Sequence, residues 1–310
     1  MKKSVLITDT FREISKSKSR FISIAIIVAL GTGFFCGTKI TSPDMKNTAD
    51  KYYADTNYSD FHIQGTYGIT EDDINTVAEL DGVKYVQGGY SQDVFVETDK
   101  DQAIIRLYSY PTDGSADKDE YMNKPVLVEG RLPQKKNECV IEKSIKTPSS
   151  FFIGNTIEFV SGTDDPITDT LTTNYCNIVG VVKSSMYINF ERGASQIGNG
   201  QLTNFIFLAE DNFDYEVYTD MYVGLEDTFN YSSFSDEYED LIDEYTDILE
   251  DFGEVRSQVR YDEIIDEAME KIADARVELE DGKQEAAEEL ADAAIKIADA
   301  EKELKDGKRS

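Results

Sequence analysis

The chain has 310 residues, of which 40% are hydrophobic, and this is enough to form a buried core in one or two domains. Its formal net charge is -30, from 61 acidic and 31 basic residues. Because nucleic-acid phosphates require a basic surface, this charge excludes nucleic acid as a partner.

The first twenty residues differ from the rest of the chain because they are rich in basic side chains. Apolar residues such as Val5, Phe11 and Ile14 fall near helical spacing between them. We therefore predict that residues 1–20 form a cytoplasmic basic amphipathic segment on the inner leaflet of the bilayer. The alternative is an unstructured basic tail. The basic residues are Lys2, Lys3, Arg12, Lys16, Lys18 and Arg20.

An uncharged apolar run follows from Phe21 to Thr38. Its length matches a hydrocarbon core of roughly 30 Å, so residues 21–40 are predicted to form one transmembrane helix in the lipid bilayer. The preceding basic residues predict a cytoplasmic N-terminus, with everything after Lys39 outside. A cleaved signal peptide is disfavoured because the run is too long and no A-x-A pattern follows it. A lipoprotein signal at Cys36 is disfavoured because Phe34 and Phe35 precede that residue.

Residues 43–255 are predicted to form an extracytoplasmic α+β domain. A capping-box pattern at Thr70 and Asp73 predicts a first helix over residues 70–80 that ends at Gly82. Helical spacing of apolar residues predicts a second helix over 235–252, followed by Gly253. The predicted strands are 60–64, 94–97, 104–110, 126–129, 139–142, 156–160, 177–182, 205–208 and 221–225.

Three cysteines give a weak indication of redox state. Cys36 lies in the apolar run, which leaves Cys139 and Cys176 in the exported part. Two cysteines are not a disulfide framework, and their spacing does not match a zinc site. We predict two buried thiols, with a single disulfide as the alternative.

Residues 256–310 are predicted to form a long coiled-coil helix, because Gly and Pro nearly disappear and small or apolar residues recur every three or four positions. The segment 272–283 recurs at 297–308, and 25 residues over seven turns correspond to about 3.57 residues per turn. The repeated Gly282 and Gly307 indicate either a close backbone contact or a relic of duplication. Because a narrow seam needs a partner helix, we expect the chain to continue beyond residue 310 or the arm to pair between chains.

No residue pattern predicts catalysis, a cofactor or a metal. The single histidine, His62, lies in a predicted strand and is expected to be structural. Under the alternative that the protein is an extracellular hydrolase, His62 is the best candidate for a catalytic residue. A P-loop is absent from the sequence. Acidic pairs such as Asp243-Glu244 lie on a predicted helix face and are expected to be solvated rather than to bind calcium.

The order of several short motifs resembles the bacterial FtsX-like or MacB-like ABC transporter permeases. The most specific is Glu129-Gly130-Arg131-Leu132-Pro133, with Asn137-Glu138 a few residues later, in which Gly130 and Pro133 are expected to shape a turn. The resemblance implies a MacB-like periplasmic core domain, further membrane helices and a separate cytoplasmic ABC ATPase subunit. The other segments that carry it are 18–21, 59–63, 68–70, 81–86, 139–141, 153–157, 178–182, 187–188 and 198–200.

Two functions are compatible with these features. The first is a permease subunit whose extracytoplasmic part couples ATP-driven motion to export or to a partner in the cell envelope. Its arm would bind an envelope protein or a second permease copy. The alternative is a single-pass, membrane-anchored coiled-coil surface protein for adhesion, sensing or scaffolding.

Overall fold

A computed structural model describes residues 2–98, 102–143, 147–189 and 191–307. The first residue of the predicted basic segment and the last three of the predicted arm lie outside these ranges. The chain divides into two compact units, Met1–Glu244 and Tyr245–Ser310.

Two helices open the first unit: α1 (Lys2–Lys16) and α2 (Lys18–Asp55). Helix α2 contains the whole apolar run but continues well past the predicted limit at residue 40, through Pro43. Its 38 residues correspond to about 57 Å. Hydropathy marks only the part of a helix that suits lipid, so the polar continuation was not evident from the apolar run.

A three-stranded antiparallel sheet follows, in the order β1-β10-β2. Its strands are β1 (Phe61–Ile69), β2 (Val83–Gly89) and β10 (Tyr218–Leu225). Helix α3 (Glu71–Ala78) lies between β1 and β2 in the chain and packs against β2. The capping box predicted at Thr70 and Asp73 is present. Strand β2 was not predicted, because it ends in two glycines and has little apolar alternation, and its partner β10 lies far away in sequence.

The remaining seven strands form a mixed sheet in the order β3-β4-β9-β6-β8-β5, with β7 also paired to β8. Backbone hydrogen bonds between Phe95 and Val160 join β3 to the segment after β7, so the hydrogen-bonded strands close into a ring. The strands are β3 (Ser91–Glu97), β4 (Gln102–Tyr110), β5 (Val126–Gly130), β6 (Glu138–Glu142), β7 (Thr156–Glu158), β8 (Tyr175–Lys183) and β9 (Asn204–Ala209).

The main core lies inside this ring because alternate residues of each strand face inward. On β4, Ile105 and Leu107 face this core, whereas Tyr108 and Tyr110 pack in a second aromatic cluster on the other face. The predicted strands all overlap strands of the structure, and the domain is α+β as predicted.

Cys139 and Cys176 form a disulfide, so the prediction of two free thiols was wrong. The cysteines lie on the neighbouring parallel strands β6 and β8, and both side chains are fully buried in the main core. Their Cα atoms are 5.9 Å apart, a separation that suits a disulfide. The sequence could not show this, because the two residues are adjacent only after the strands have paired.

The long helix α4 runs without interruption from Asp236 to Gly307. The predicted stop at Gly253 was wrong, because one glycine costs a helix only about 1 kcal/mol relative to alanine, and the long helical segments on both sides of it outweigh that cost. Within the second unit, the apolar seam residues predicted for a coiled coil are largely exposed, including Met269 at 64% and Leu290 at 71%. Helix α4 therefore presents an apolar seam over the length predicted for the arm.

Candidate functional site

His62 lies on β1, where its side chain contacts the neighbouring strand β10. Its Nε2 lies 2.6 Å from Oδ1 of Asp220 on the neighbouring strand, and its ring stacks on Tyr222 with centroids 4.7 Å apart. Gln64 also donates to Asp220, at 3.0 Å. Burial raises the pKa of Asp220, but hydrogen bonds from His62, Ser91 and Thr219 outweigh it, so the net direction is downward. This group therefore stabilises the small sheet.

The motif around Gly130 also has a scaffold role. Gly130 has φ +79°, and a Cβ there would lie 2.4 Å from the carbonyl oxygen of Val179, so this turn requires glycine. Both guanidinium branches of Arg131 donate to the Glu138 carboxylate at 2.6 Å. The Arg131 hydrogen bonds lower the pKa of Glu138 to about 2. The motif thus fastens the connection between β5 and β6.

A third group of residues, the junction cluster, lies where the chain enters and leaves the domain. We define it as Asp50, Asp60, Thr228, Ser232 and Tyr238. These residues bring together the polar end of α2, the approach to β1, the exit from β10 and the first turn of α4.

Asp60 is the centre of the junction cluster. Its carboxylate accepts hydrogen bonds from the backbone N–H of Leu225 at 2.8 Å, the Thr228 hydroxyl at 2.9 Å and the Tyr238 hydroxyl at 2.9 Å. Burial raises the pKa of Asp60, and the three donors oppose that shift. Because these three donors are neutral dipoles, the strength of the interaction depends on their positions.

Asp50 connects helix α2 to the segment that precedes α4. Its carboxylate accepts hydrogen bonds from the Ser232 hydroxyl at 2.6 Å and from the Ser233 backbone N–H at 3.0 Å. One turn earlier in α2, the Lys46 ammonium lies 5.3 Å from the centre of the Phe234 ring. The Ser235 hydroxyl accepts from the backbone N–H of Tyr238 and caps the start of α4.

The end of α2 is also held by a loop of the domain. The Asn57 side chain donates to the carbonyl oxygens of Asp119 and Tyr121, at 3.1 and 3.0 Å. The Ser59 backbone N–H donates to the side-chain oxygen of Asn123 at 3.2 Å. The helix end is therefore attached to the domain on two sides and is not a free tether.

A cavity of about 310 Å³ lies beside these contacts. It is lined by residues from α2, from the loop before β1 and from the start of α4, among them Tyr53, Tyr58 and Tyr231. The rings of Tyr53 and Tyr58 stack at 4.9 Å. The cavity therefore lies between the polar end of α2 and the start of α4, beside the hydrogen bonds of Asp50 and Asp60.

Sequence reasoning did not identify the junction cluster. It placed Asp60 at a strand start and Ser235 at a helix start, but gave no sign that Asp50 and Ser232, 182 residues apart, would meet. The available signal was local: Asp50 lies beyond an apolar run, and three serines precede a long helix. Among the described residues, no group of three or more His, Cys, Asp or Glu side chains could hold a metal ion.

Helix α2, Lys18–Asp55, is long and apolar enough to cross a membrane, and it is the one such helix among the described residues. The side chains of its apolar part are exposed, including Phe34 at 76% and Leu30 at 68%. An exposed apolar surface of this length is suited to lipid rather than to water.

Three solved structures similar to this chain are an extracellular domain, a periplasmic region and a domain of a permease. The first is the extracellular domain of the noncanonic ABC-type transporter YknZ from Gram-positive bacteria, which is 16% identical in sequence. The match spans 54% of this chain and 79% of the YknZ domain, with a TM-score of 0.32. The second is the periplasmic region of MacB from Actinobacillus actinomycetemcomitans, which is 14% identical in sequence. The match spans 62% of this chain and 76% of the MacB region, with a TM-score of 0.31.

The third structure is a domain of a protein described as a permease from Porphyromonas gingivalis. It is 15% identical in sequence, and the match spans 53% of this chain and 69% of the permease domain, with a TM-score of 0.27. No protein-family model matches the chain, and no curated protein sequence matches it.

Proposed function

We propose that this chain is the membrane-embedded permease subunit of an FtsX/MacB-type ABC transporter. Its N-terminus lies in the cytoplasm and its main domain outside the cell membrane. A cytoplasmic ABC ATPase subunit supplies the motion, and the arm engages an envelope protein or a second permease copy. The role is mechanical rather than catalytic. The motif around Gly130 supports the family, as do the apolar helix α2 and the arm.

The observation that carries the proposal is the contact of Asp50 with Ser232 and Ser233. Asp50 belongs to the same helix as the apolar segment, and the two serines immediately precede α4. A rotation or tilt of α2 in the membrane would therefore change the geometry at the start of α4. Coupling of this kind shifts an equilibrium between two conformations and requires no covalent step.

The proposal is tested with the protein purified in mild detergent from its own host membranes. Mass spectrometry identifies any ABC ATPase that copurifies. In a Cys36→Ser background, the cavity residue Tyr231, which is 45% exposed, is replaced by cysteine and labelled with a maleimide with and without ATP. We expect ATP to change the labelling rate by about fivefold or more, the lower end of ordinary allosteric coupling.

Two further variants locate the coupling. Asp50→Ala should abolish the effect of ATP on labelling, whereas Asp55→Ala, an exposed acid five residues later in the same helix, should leave it unchanged. Absence of a copurifying ATPase, or an ATP effect that survives Asp50→Ala, would overturn the proposal. Absence of a copurifying ATPase would favour the single-pass surface protein. The single candidate membrane span among the described residues is also compatible with that alternative.

A further inference from the structure

The exposed seam of α4 follows a seven-residue repeat over residues 269–300, and all of its side chains there are exposed. Each heptad places two residues on the seam, which we call the first and the second core position. The stretch contains about four and a half heptads, enough for a sustained coiled coil. The first core positions are Met269, Arg276, Lys283, Leu290 and Ile297, and the second are Ile272, Leu279, Ala286, Ala293 and Ala300.

The two core positions differ in size along this seam. From Arg276 onward the first position always holds a long side chain, whereas from Ala286 onward the second always holds alanine. A parallel pair of identical arms in register would place each residue against its own copy. Arg276 would then meet Arg276, and the alanines would leave voids between the helices. The seam is therefore unsuited to a parallel pair of copies.

An antiparallel pair of identical arms has neither defect. When a two-fold axis passes beside residue 288, first core positions of one arm face second core positions of the other. Long side chains then meet alanines, and the single remaining layer joins two aliphatic side chains, so the seam is complementary to its own reverse. The facing pairs are Arg276 with Ala300, Lys283 with Ala293, Leu290 with Ala286 and Ile297 with Leu279.

The charges agree with this register. Ala300, which would face Arg276, lies between Asp299 and Glu301 in the sequence, and an acid, Asp292, also precedes Ala293. Each basic residue of the seam would thus approach acids of the opposite arm. Within its own helix, Lys283 contacts Glu280 at 3.4 Å, and both side chains are more than half exposed. Opposite charges beside a coiled-coil seam determine partner, orientation and register.

We propose that the arm binds the arm of a second copy of this chain, in an antiparallel coiled coil centred on residue 288. The inference rests on the proposed function, in which the arm engages a partner, and it identifies that partner as a second copy rather than an envelope protein. The surface is isologous, so each half of one arm packs on the other half of its partner.

Cysteine cross-linking in isolated membranes tests the orientation. In a Cys36→Ser background, one chain carries Arg276→Cys and a differently tagged chain carries Ala300→Cys. We expect an oxidant to link the two tags at least about tenfold more efficiently than when Val277→Cys replaces Arg276→Cys, because position 277 lies off the seam. Ala300→Cys expressed alone should form no linked dimer. Circular dichroism confirms that each purified variant is helical.

A charge reversal tests the register. Arg276→Glu should reduce the linkage between Leu279→Cys on the same chain and Ile297→Cys on the partner chain by about tenfold. Asp299→Lys together with Glu301→Lys on the partner chain should restore it. Failure of this restoration, linkage of Ala300→Cys to itself, or no linkage in any combination would each overturn the proposal.

The cross-link requires no ATPase, so the two proposals can fail separately. Absence of the cross-link in membranes from which an ABC ATPase copurifies with the chain would overturn the pairing of the arms alone. A cross-link in membranes without such an ATPase would support the pairing and overturn the transporter assignment.

Discussion

At the scale of single residues, polar side chains hold the small sheet and the junction together. The His62–Asp220 contact is a diagonal cross-strand pair on antiparallel strands β1 and β10. Asp220 is fully buried, while the His62 side chain is 33% exposed. The histidine therefore mainly satisfies a buried acceptor.

We expect His62→Ala to lower the free energy of unfolding by about 2 kcal/mol, because a buried acceptor loses a donor while Gln64 and Thr219 remain. His62→Gln, which keeps a donor, should lose less. Chemical denaturation of the chain in detergent at pH 7 measures both values. Equal losses in the two variants would show that ring packing on Tyr222, rather than the hydrogen bond, is what matters.

The same pair predicts a dependence on pH. The folded-state pKa of Asp220 lies below its ordinary value, so its ionised form stabilises the fold above an unfolded pKa of about 3.9. That stabilisation is lost as the pH falls through the lower folded-state pKa. In His62→Ala the pKa of Asp220 should rise toward its unfolded value, so the acid-dependent loss in the free energy of unfolding, measured by chemical denaturation at a series of pH values, should become smaller.

At the scale of secondary-structure elements, the two long helices α2 and α4 are the features whose orientation and packing can be tested. Helix α2 should be oriented by the basic residues before its apolar run, since positive charge is retained in the cytoplasm. We expect replacement of Lys16, Lys18 and Arg20 by glutamine to invert a measurable fraction of chains. Protease protection of tags at the two termini detects this inversion. Replacement of Lys46 and Lys51 on the other flank is the control and should not cause it, and unchanged orientation in both variants would refute the charge argument.

The glycines of α4 distinguish a packed arm from a relic of duplication. An added Cβ at Gly253 or at Gly282 would meet no atom within 4 Å. In an unpartnered helix each Gly→Ala change should therefore stabilise the helix by about 1 kcal/mol. Thermal unfolding followed by circular dichroism measures this effect. If Gly253→Ala stabilises the arm but Gly282→Ala destabilises it, another helix packs closely against Gly282.

At the scale of the whole molecule, the disulfide links two strands of the main core and bears on the cellular compartment in which the domain folds. Disulfides persist in oxidising compartments, so the Cys139–Cys176 bond supports an extracytoplasmic domain. We expect one reactive thiol per denatured chain without reductant, that of Cys36, and three after reduction. Three reactive thiols before reduction would contradict the disulfide.

The energetic consequence of the disulfide is also testable. The bond links residues 37 positions apart, and chain-entropy estimates for a loop of this size give about 4 kcal/mol. We expect the double change Cys139→Ser and Cys176→Ser to lower the free energy of unfolding by about this amount. Cys36→Ser, the matched control outside the core, should change it little.

The sequence by itself determined the features that depend on neighbouring residues. The apolar run located the apolar part of helix α2, the pattern at Thr70 and Asp73 located α3, and alternation located nine strands. Gly130 was predicted to shape a turn, and its positive φ confirms this. Each of these signals lies within a few residues, because helix caps, turns and faces are local in origin.

Only the tertiary structure decided which distant residues meet. The pairing of β2 with β10, the Cys139–Cys176 bond and the contact of Asp50 with Ser232 all join segments that are far apart in the chain. A single sequence carries no direct record of such proximity, since many pairings satisfy the same alternation of apolar and polar residues. The packing of the two sheets selects one of these pairings, and with it the junction.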